Sequence, residues 1–179
     1  MAHPTPPPDA GRPIGRGMLI AGWIVGIGLL SLLFGGILDR QHNPNRNLTG
    51  ITTESGVREV LLQRNRYGHY LTTGTINDME VEFMLDTGAS DVSVPQPVAE
   101  RLGLKRGRPL VYNTANGTIT AYHTSLARLE LGGIALHDIR ASINPHMQGE
   151  TLLLGMSFLK HLEFSQRGDT LLLRQYPQQ

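Results

Sequence analysis

The chain has 179 residues, with 16 Lys and Arg against 15 Asp and Glu and a formal net charge of +1. That balance, without a long basic run, removes the electrostatic case for a nucleic-acid partner. Cysteine is absent, which excludes disulfides, thiolate zinc sites and a cysteine nucleophile and leaves the redox compartment open.

Residues 1–16 carry Pro4, Pro6, Pro7, Pro8 and Pro13 among polar residues and read as a disordered tail. Residues 17–38 are apolar without a charge, the length a bilayer core asks of a helix, and are bounded by Arg16 on one side and Asp39-Arg40 on the other. They predict one transmembrane helix. A cleaved signal peptide is the rival, but the run is long for one and no Ala-x-Ala site follows. Arg12 and Arg16 precede the span and Arg40 and Arg46 follow it, so the positive-inside rule is nearly tied. A short N-terminal tail favours a signal anchor with its N-terminus in the cytoplasm. In a Gram-negative source that gives a single-pass inner-membrane protein with a periplasmic C-terminal domain. Gly22 and Gly26 form a Gly-x-x-x-Gly pair that would let two such helices approach closely. Residues 39–55, with Asn43, Pro44, Asn45, Asn47 and Gly50, read as a linker.

From residue 56 to 175 the chain reads as a succession of short strands. Strands are expected over 57–63, 69–76 and 79–85, with Asn77-Asp78 as a tight hairpin turn between the last two. Residues 98–102 suit a short helix stopped at Gly103. Residues 110–122 form a hairpin around Asn116-Gly117, 126–131 and 134–143 are strands about Gly132-Gly133, and 152–154 is an apolar strand ending at Gly155. A short helix over 157–162 and a last hairpin around Gly168-Asp169 complete a mostly-β, barrel-like domain.

Within this series Val81, Phe83 and Leu85 alternate with Glu80, Glu82 and Met84, and the strand ends at Asp86 on the opposite parity to the apolar face. A carboxylate is thus presented where the strand runs out. Gly88 permits a tight turn and a close approach, and Thr87, Ser90 and Ser93 supply hydroxyls to tie the loop down. Residues 91–94 turn apolar again as a return strand.

Phe83-Met-Leu-Asp-Thr-Gly-Ala-Ser90 resembles the active-site loop of aspartic peptidases of the retropepsin-like type. Thr114-Ala-Asn-Gly117 stands where the small bacterial membrane-anchored group of that clan has its flap. Leu153-Leu-Gly-Met-Ser-Phe-Leu159 resembles the segment packed behind the catalytic loop. The resemblance implies a single-lobed retropepsin-like acid-protease barrel, with one short helix near the C-terminus and the transmembrane helix ahead of it. It makes Asp86 the catalytic aspartate and Thr87, Gly88, Ala89 and Ser90 the active-site loop. Thr114, Ala115, Asn116 and Gly117 become a flap over a protein or peptide substrate, and no metal or cofactor is required. Two departures stand out. Asp91 occupies a position where this group often has a small or hydroxyl residue. Met156 follows Gly155 where viral members carry an arginine bracing the loop, so their dimer-stabilising ion pair is not expected.

Hydrolysis by this chemistry needs two carboxylates sharing a proton. The chain holds one Asp-Thr-Gly, and Gly168-Asp169-Thr170 has the wrong order. The resemblance therefore implies a homodimer with Asp86 from each subunit at the two-fold axis. A catalytically silent dimerisation or peptide-binding module on the same fold is the alternative. His69, His123, His137, His146 and His161 show no ligand spacing, and Ser90 and Ser93 have no evident base partner. Glu80 and Glu82 read as a solvated strand face.

Overall fold

Alternation decides most of the β structure in the computed structural model, which describes residues 12–114 and 117–177. Strands β2 (Arg58–Gln63), β3 (Leu71–Ile76) and β4 (Met79–Leu85) bury Val60, Leu62, Leu71, Ile76, Val81 and Phe83. In β2 and β4 these residues alternate as a period of two requires, whereas in β3 Leu71 and Ile76 are buried on opposite faces. Asn77 and Asp78 join β3 to β4 with φ of 50° and 66°, the left-handed pair that a two-residue hairpin requires. β5 (Val92–Pro95) leads into α2 (Gln96–Arg101), with Pro97 in the first turn where its missing N–H is harmless.

β6 (Pro109–Thr114) and β7 (Gly117–Leu131) form the expected hairpin, but β7 runs for 15 residues. The two stretches read as separate strands are one. Its first half pairs with β6, and from Tyr122 onward it pairs with β8 (Ile134–Asn144). β9 (Leu152–Leu154) is followed by α3 (Met156–Leu159), then by β10 (Glu163–Arg167) and β11 (Thr170–Gln175).

Seven strands lie in the order β3-β4-β9-β5-β8-β7-β6, and β3 also pairs with β7. The first six thus close on themselves as a barrel, which leaves no free edge among them. A second sheet has the order β1-β2-β11-β10, with β1 spanning Ile51–Thr52. Phe83, Leu126, Leu129, Leu131, Ile134, Leu152, Leu154 and Phe158 fill the core with no exposed surface. The fold is the mostly-β barrel expected, with its short helix near the C-terminus.

The chain divides into two units, Met1–Asp39 and Arg40–Gln179. Helix α1 (Arg12–His42) begins within the stretch read as a tail; residues 1–11 of that tail lie outside the described residues. Its segment Gly17–His42 is long and apolar enough to cross a membrane, and Trp23, Leu32 and Leu33 are exposed along it. At 1.5 Å per residue it spans about 39 Å, more than a hydrocarbon core of roughly 30 Å.

Within the span read as a linker, residues 43–50 form a strap built into the second unit. Asn43 and Asn45 are each 5% exposed. Asn45 Nδ2 donates to the carbonyls of Gln63 (2.9 Å) and Leu71 (2.6 Å), and its Oδ1 accepts the Gln63 N–H at 2.7 Å. One side-chain amide thereby does the work of a strand neighbour. Asn43 Nδ2 donates to Glu82 Oε2 at 2.9 Å, while Thr151 Oγ1 donates to Glu82 Oε1 at 2.8 Å. Glu82 is therefore an anchor for the strap, not a solvated face. Leu48 packs on the core, and a Cβ on Gly50 would stand 1.8 Å from the Gly132 carbonyl oxygen.

Candidate active site

β4 and β5 are consecutive in sequence, yet β9 lies between them, parallel to β4 and antiparallel to β5. The loop joining β4 to β5 must therefore arch over the end of β9. Asp86 N–H donates to Leu154 O at 3.2 Å. On the other side Met156 N–H donates to Ala89 O (2.8 Å) and Ser157 N–H to Ser90 O (2.9 Å). Ser157 Oγ accepts the Val92 N–H at 2.9 Å. The loop's backbone groups are thus paired one by one with the turn from β9 into α3, which makes it rigid. That fit depends on Gly155, where a Cβ would stand 2.2 Å from Asp91 O and 2.6 Å from Ala89 O.

Asp86 is half-buried, and its Oδ1 accepts the Gly88 N–H at 2.9 Å. This turn across Thr87 fixes the carboxylate's rotation at the strand end. Thr87, Gly88 and Ser90 are exposed and Ala89 is half-buried; the Thr87 hydroxyl bonds to none of the described residues. Asp86, Gly88, Ala89 and Ser90 line a cavity of about 480 Å³, and Thr114 and Tyr112 of β6 line it too. The structure therefore brings the two sequence-predicted groups, loop and hairpin, to one cleft. Thr114 Oγ1 donates to Gly117 O at 2.8 Å, and Gly117 has a φ of 106°. Ala115 and Asn116, the flap tip of the sequence reading, lie outside the described residues.

Three further residues were not singled out as site residues in the sequence. Asp91 is 5% exposed and also lines the cavity. Its Oδ2 accepts the Tyr112 phenol at 2.5 Å and Arg140 at 3.1 Å from Nε and 3.0 Å from Nη2. A buried carboxylate needs such donors, since an unpaired one is strongly disfavoured. Removal from water raises the Tyr112 pKa first, and the bond to Asp91 raises it further. Arg140 is also held above its ordinary value, by Tyr112 first and then by Asp91. The only signal in the sequence was Asp91 itself, a carboxylate on a strand that is otherwise apolar.

Residues 72–161 match the family described as "gag-polyprotein putative aspartyl protease". The chain belongs to the retropepsin-like aspartic peptidases. The matched stretch of this retropepsin-like chain runs from β3 through α3 and holds the loop, the hairpin and β9; helix α1, the strap, β10 and β11 lie outside it. A crystal structure of a retropepsin-like aspartic protease from Rickettsia conorii is similar over 72% of this chain and 95% of its own, with 27% identity and a TM-score of 0.55. An uncharacterized protein in the cobV 5′ region of Sinorhizobium sp is 36% identical over 70% of this chain and 56% of its own. An uncharacterized protein of Rickettsia prowazekii is 30% identical over 70% of this chain and 54% of its own. This retropepsin-like chain thus spans about half the length of those two relatives.

Proposed function

We propose that the protein is a membrane-anchored aspartic endopeptidase, active as a homodimer in which each subunit contributes Asp86. The observation that carries this reading is the placement of a single Asp-Thr-Gly carboxylate at a strand end, in a cleft beneath a hairpin. Asp91 lines the same cleft but is no candidate for the second carboxylate of the pair. Its Oδ2 is already engaged by Tyr112 and Arg140. The second carboxylate then has to come from another copy of the chain, and the exposed Thr87 beside Asp86 offers an unused hydroxyl to that copy.

In the dimer, two carboxylates about 3 Å apart cannot both ionise, so one proton is shared. The ionised partner takes a proton from water as it attacks the peptide carbonyl. The protonated partner donates to the carbonyl oxygen. As the tetrahedral intermediate collapses, the first carboxyl passes the proton it took from water to the leaving amine and the second takes its proton back from the hydroxyl, which restores the shared proton. The backbone of Gly88 lines the cleft, and the hairpin from Thr114 to Gly117 closes over the peptide and excludes water. No metal or cofactor enters these steps.

The anchor is the Gly17–His42 helix. The proposed topology puts the N-terminus in the cytoplasm and the peptidase domain in the periplasm of a bacterial inner membrane. Confinement in one membrane raises the effective concentration of two chains, and the Gly22/Gly26 pair lets their helices approach.

The test uses the full chain in detergent against a diverse peptide library from acidic to neutral pH, beside Asp86→Asn. Cleavage by the parent alone supports the reading. Mixing parent with excess Asp86→Asn subunits should suppress activity by forming hybrid dimers. Activity that falls only in proportion to dilution would rule out a shared site.

A further inference from the structure

We infer that Tyr112, Asp91 and Arg140 form a tie that sets the height of the hairpin over the cleft within each single chain, and that all three are positioning residues for substrate binding. This rests on the peptidase reading above for its kinetic consequence, but the tie itself does not.

The three residues come from three elements. Asp91 stands at the entry to β5, Tyr112 in the outgoing arm of the hairpin, and Arg140 on β8. Two donors converge on one oxygen, Asp91 Oδ2. The Asp91 backbone belongs to the loop that carries Asp86, and its carbonyl oxygen is pressed against Gly155. The carboxylate is thus fixed to the rigid part of the site. The hairpin arm is held differently: it pairs with β7 from Pro109 to Thr114, Val111 and Asn113 are exposed, and from Tyr122 onward β7 pairs with β8. The Tyr112 phenol bonds this arm to Asp91 of the loop that carries Asp86.

Arg140 gives the tie its direction. Its side chain is mostly exposed, at 59%, while that of Asp91 is not, at 5%. The guanidinium therefore closes the outer side of Asp91 and leaves the carboxylate's approach from the cleft to the phenol. His137, Lys160 and His161 line the same outer cavity of about 370 Å³ as Asp91 and Arg140, and Asp138 is the other acid there. A bond between a neutral donor and a charged acceptor is among the stronger kinds in proteins. Placed within one subunit, it holds the hairpin at a working height before any second copy arrives. Less ordering then remains for a peptide to bring about on binding.

Hydrogen exchange on the full chain in detergent reads the tie directly, in an Asp86→Asn background so that turnover plays no part. Tyr112→Phe should speed exchange of the β6 and first-half β7 amides by about tenfold, the worth of one charge-assisted bond. Exchange in β4 and β9 should be unchanged. Asp91→Asn keeps an acceptor and should show a smaller rise. Arg140→Lys should be milder than Arg140→Ala. On the active parent, Tyr112→Phe should raise KM severalfold with kcat changed much less. Exchange in the hairpin unaltered by Tyr112→Phe would overturn the tie, whether or not the parent cleaves any peptide. Faster exchange accompanied by equal losses in kcat and no change in KM would overturn its role in positioning for binding. A parent that cleaves nothing, with the exchange result as expected, would count against the peptidase reading and leave the tie standing.

Discussion

The Asp86 loop and the strap are both irregular segments held against the barrel, and they are held in opposite ways. The loop, residues 86–91, is secured mainly by its own backbone, with Asp86 N–H, Ala89 O and Ser90 O each paired to the turn between β9 and α3. The strap, residues 43–50, is secured mainly by side-chain amides, with Asn43 and Asn45 reaching to β2, β3 and β4. Backbone pairing frees the loop's side chains to face the cleft. In the strap the pairing is made by the side chains of Asn43 and Asn45, which it buries. The contrast separates a segment built to present chemistry from one built to attach the domain.

If the contrast is right, changing a loop side chain should remove function and leave stability. Asp86→Asn should lower peptide cleavage by about a thousandfold or more, the scale of lost acid-base catalysis, with a denaturation midpoint close to the parent's. A large drop in midpoint would mean that Asp86 is structural.

Changing the loop's backbone fit should instead remove the fold. Gly155→Ala puts a Cβ within 2.2 Å of Asp91 O and 2.6 Å of Ala89 O, and the backbone atoms there cannot turn aside. A loss of about 3 kcal/mol in urea unfolding is expected.

The strap should show the reverse of Asp86. Asn45→Ala leaves the Gln63 and Leu71 groups unpaired and should cost about 2 kcal/mol. A soluble chain beginning at residue 50 should be less stable than one beginning at residue 40 by at least that amount. Equal stabilities would reduce the strap to the linker that its composition suggests. Activity per folded molecule should be nearly unaffected by Asn45→Ala.

The smallest effect concerns pH. The Tyr112 pKa is raised by burial first and then by Asp91, above the free phenol's value of about 10. A raised acid contributes stability that is complete below that free value and is lost as pH rises through the folded value. Tyr176 is raised as well, by its bond to Glu163 first, so absorbance near 295 nm should show two tyrosines titrating late, and Tyr112→Phe should remove one of these late components. Loss of an early component instead would contradict the Asp91 bond.

The Asp86 loop was legible in the sequence because its proposed chemistry and its geometry use the same residues. An alternating strand must end on Asp86, and Gly88 is the residue that lets the turn close upon it. The strap was illegible for the converse reason. Asn43, Pro44 and Asn45 are what a solvated linker would also contain. Only the open amide and carbonyl of Gln63, with the carbonyl of Leu71, make a buried Asn45 favourable. Tyr112 and Arg140 sit on strands whose alternation is satisfied without them, so nothing local singled them out. The single strand β7 was also hidden, since its two halves differ in partner and not in pattern.

The sequence by itself determined the alternation within the strands, the hairpin turn at Asn77-Asp78 and the carboxylate at the end of β4. Each of these follows from periodicity and from backbone preferences that act over a few residues. Tertiary structure alone decided that β9 passes between β4 and β5, that Asp91 is joined to Tyr112 and Arg140, and that residues 43–50 belong to the domain. Those outcomes depend on which buried polar groups are left open once the barrel has closed, and such vacancies are created by partners far apart in the chain.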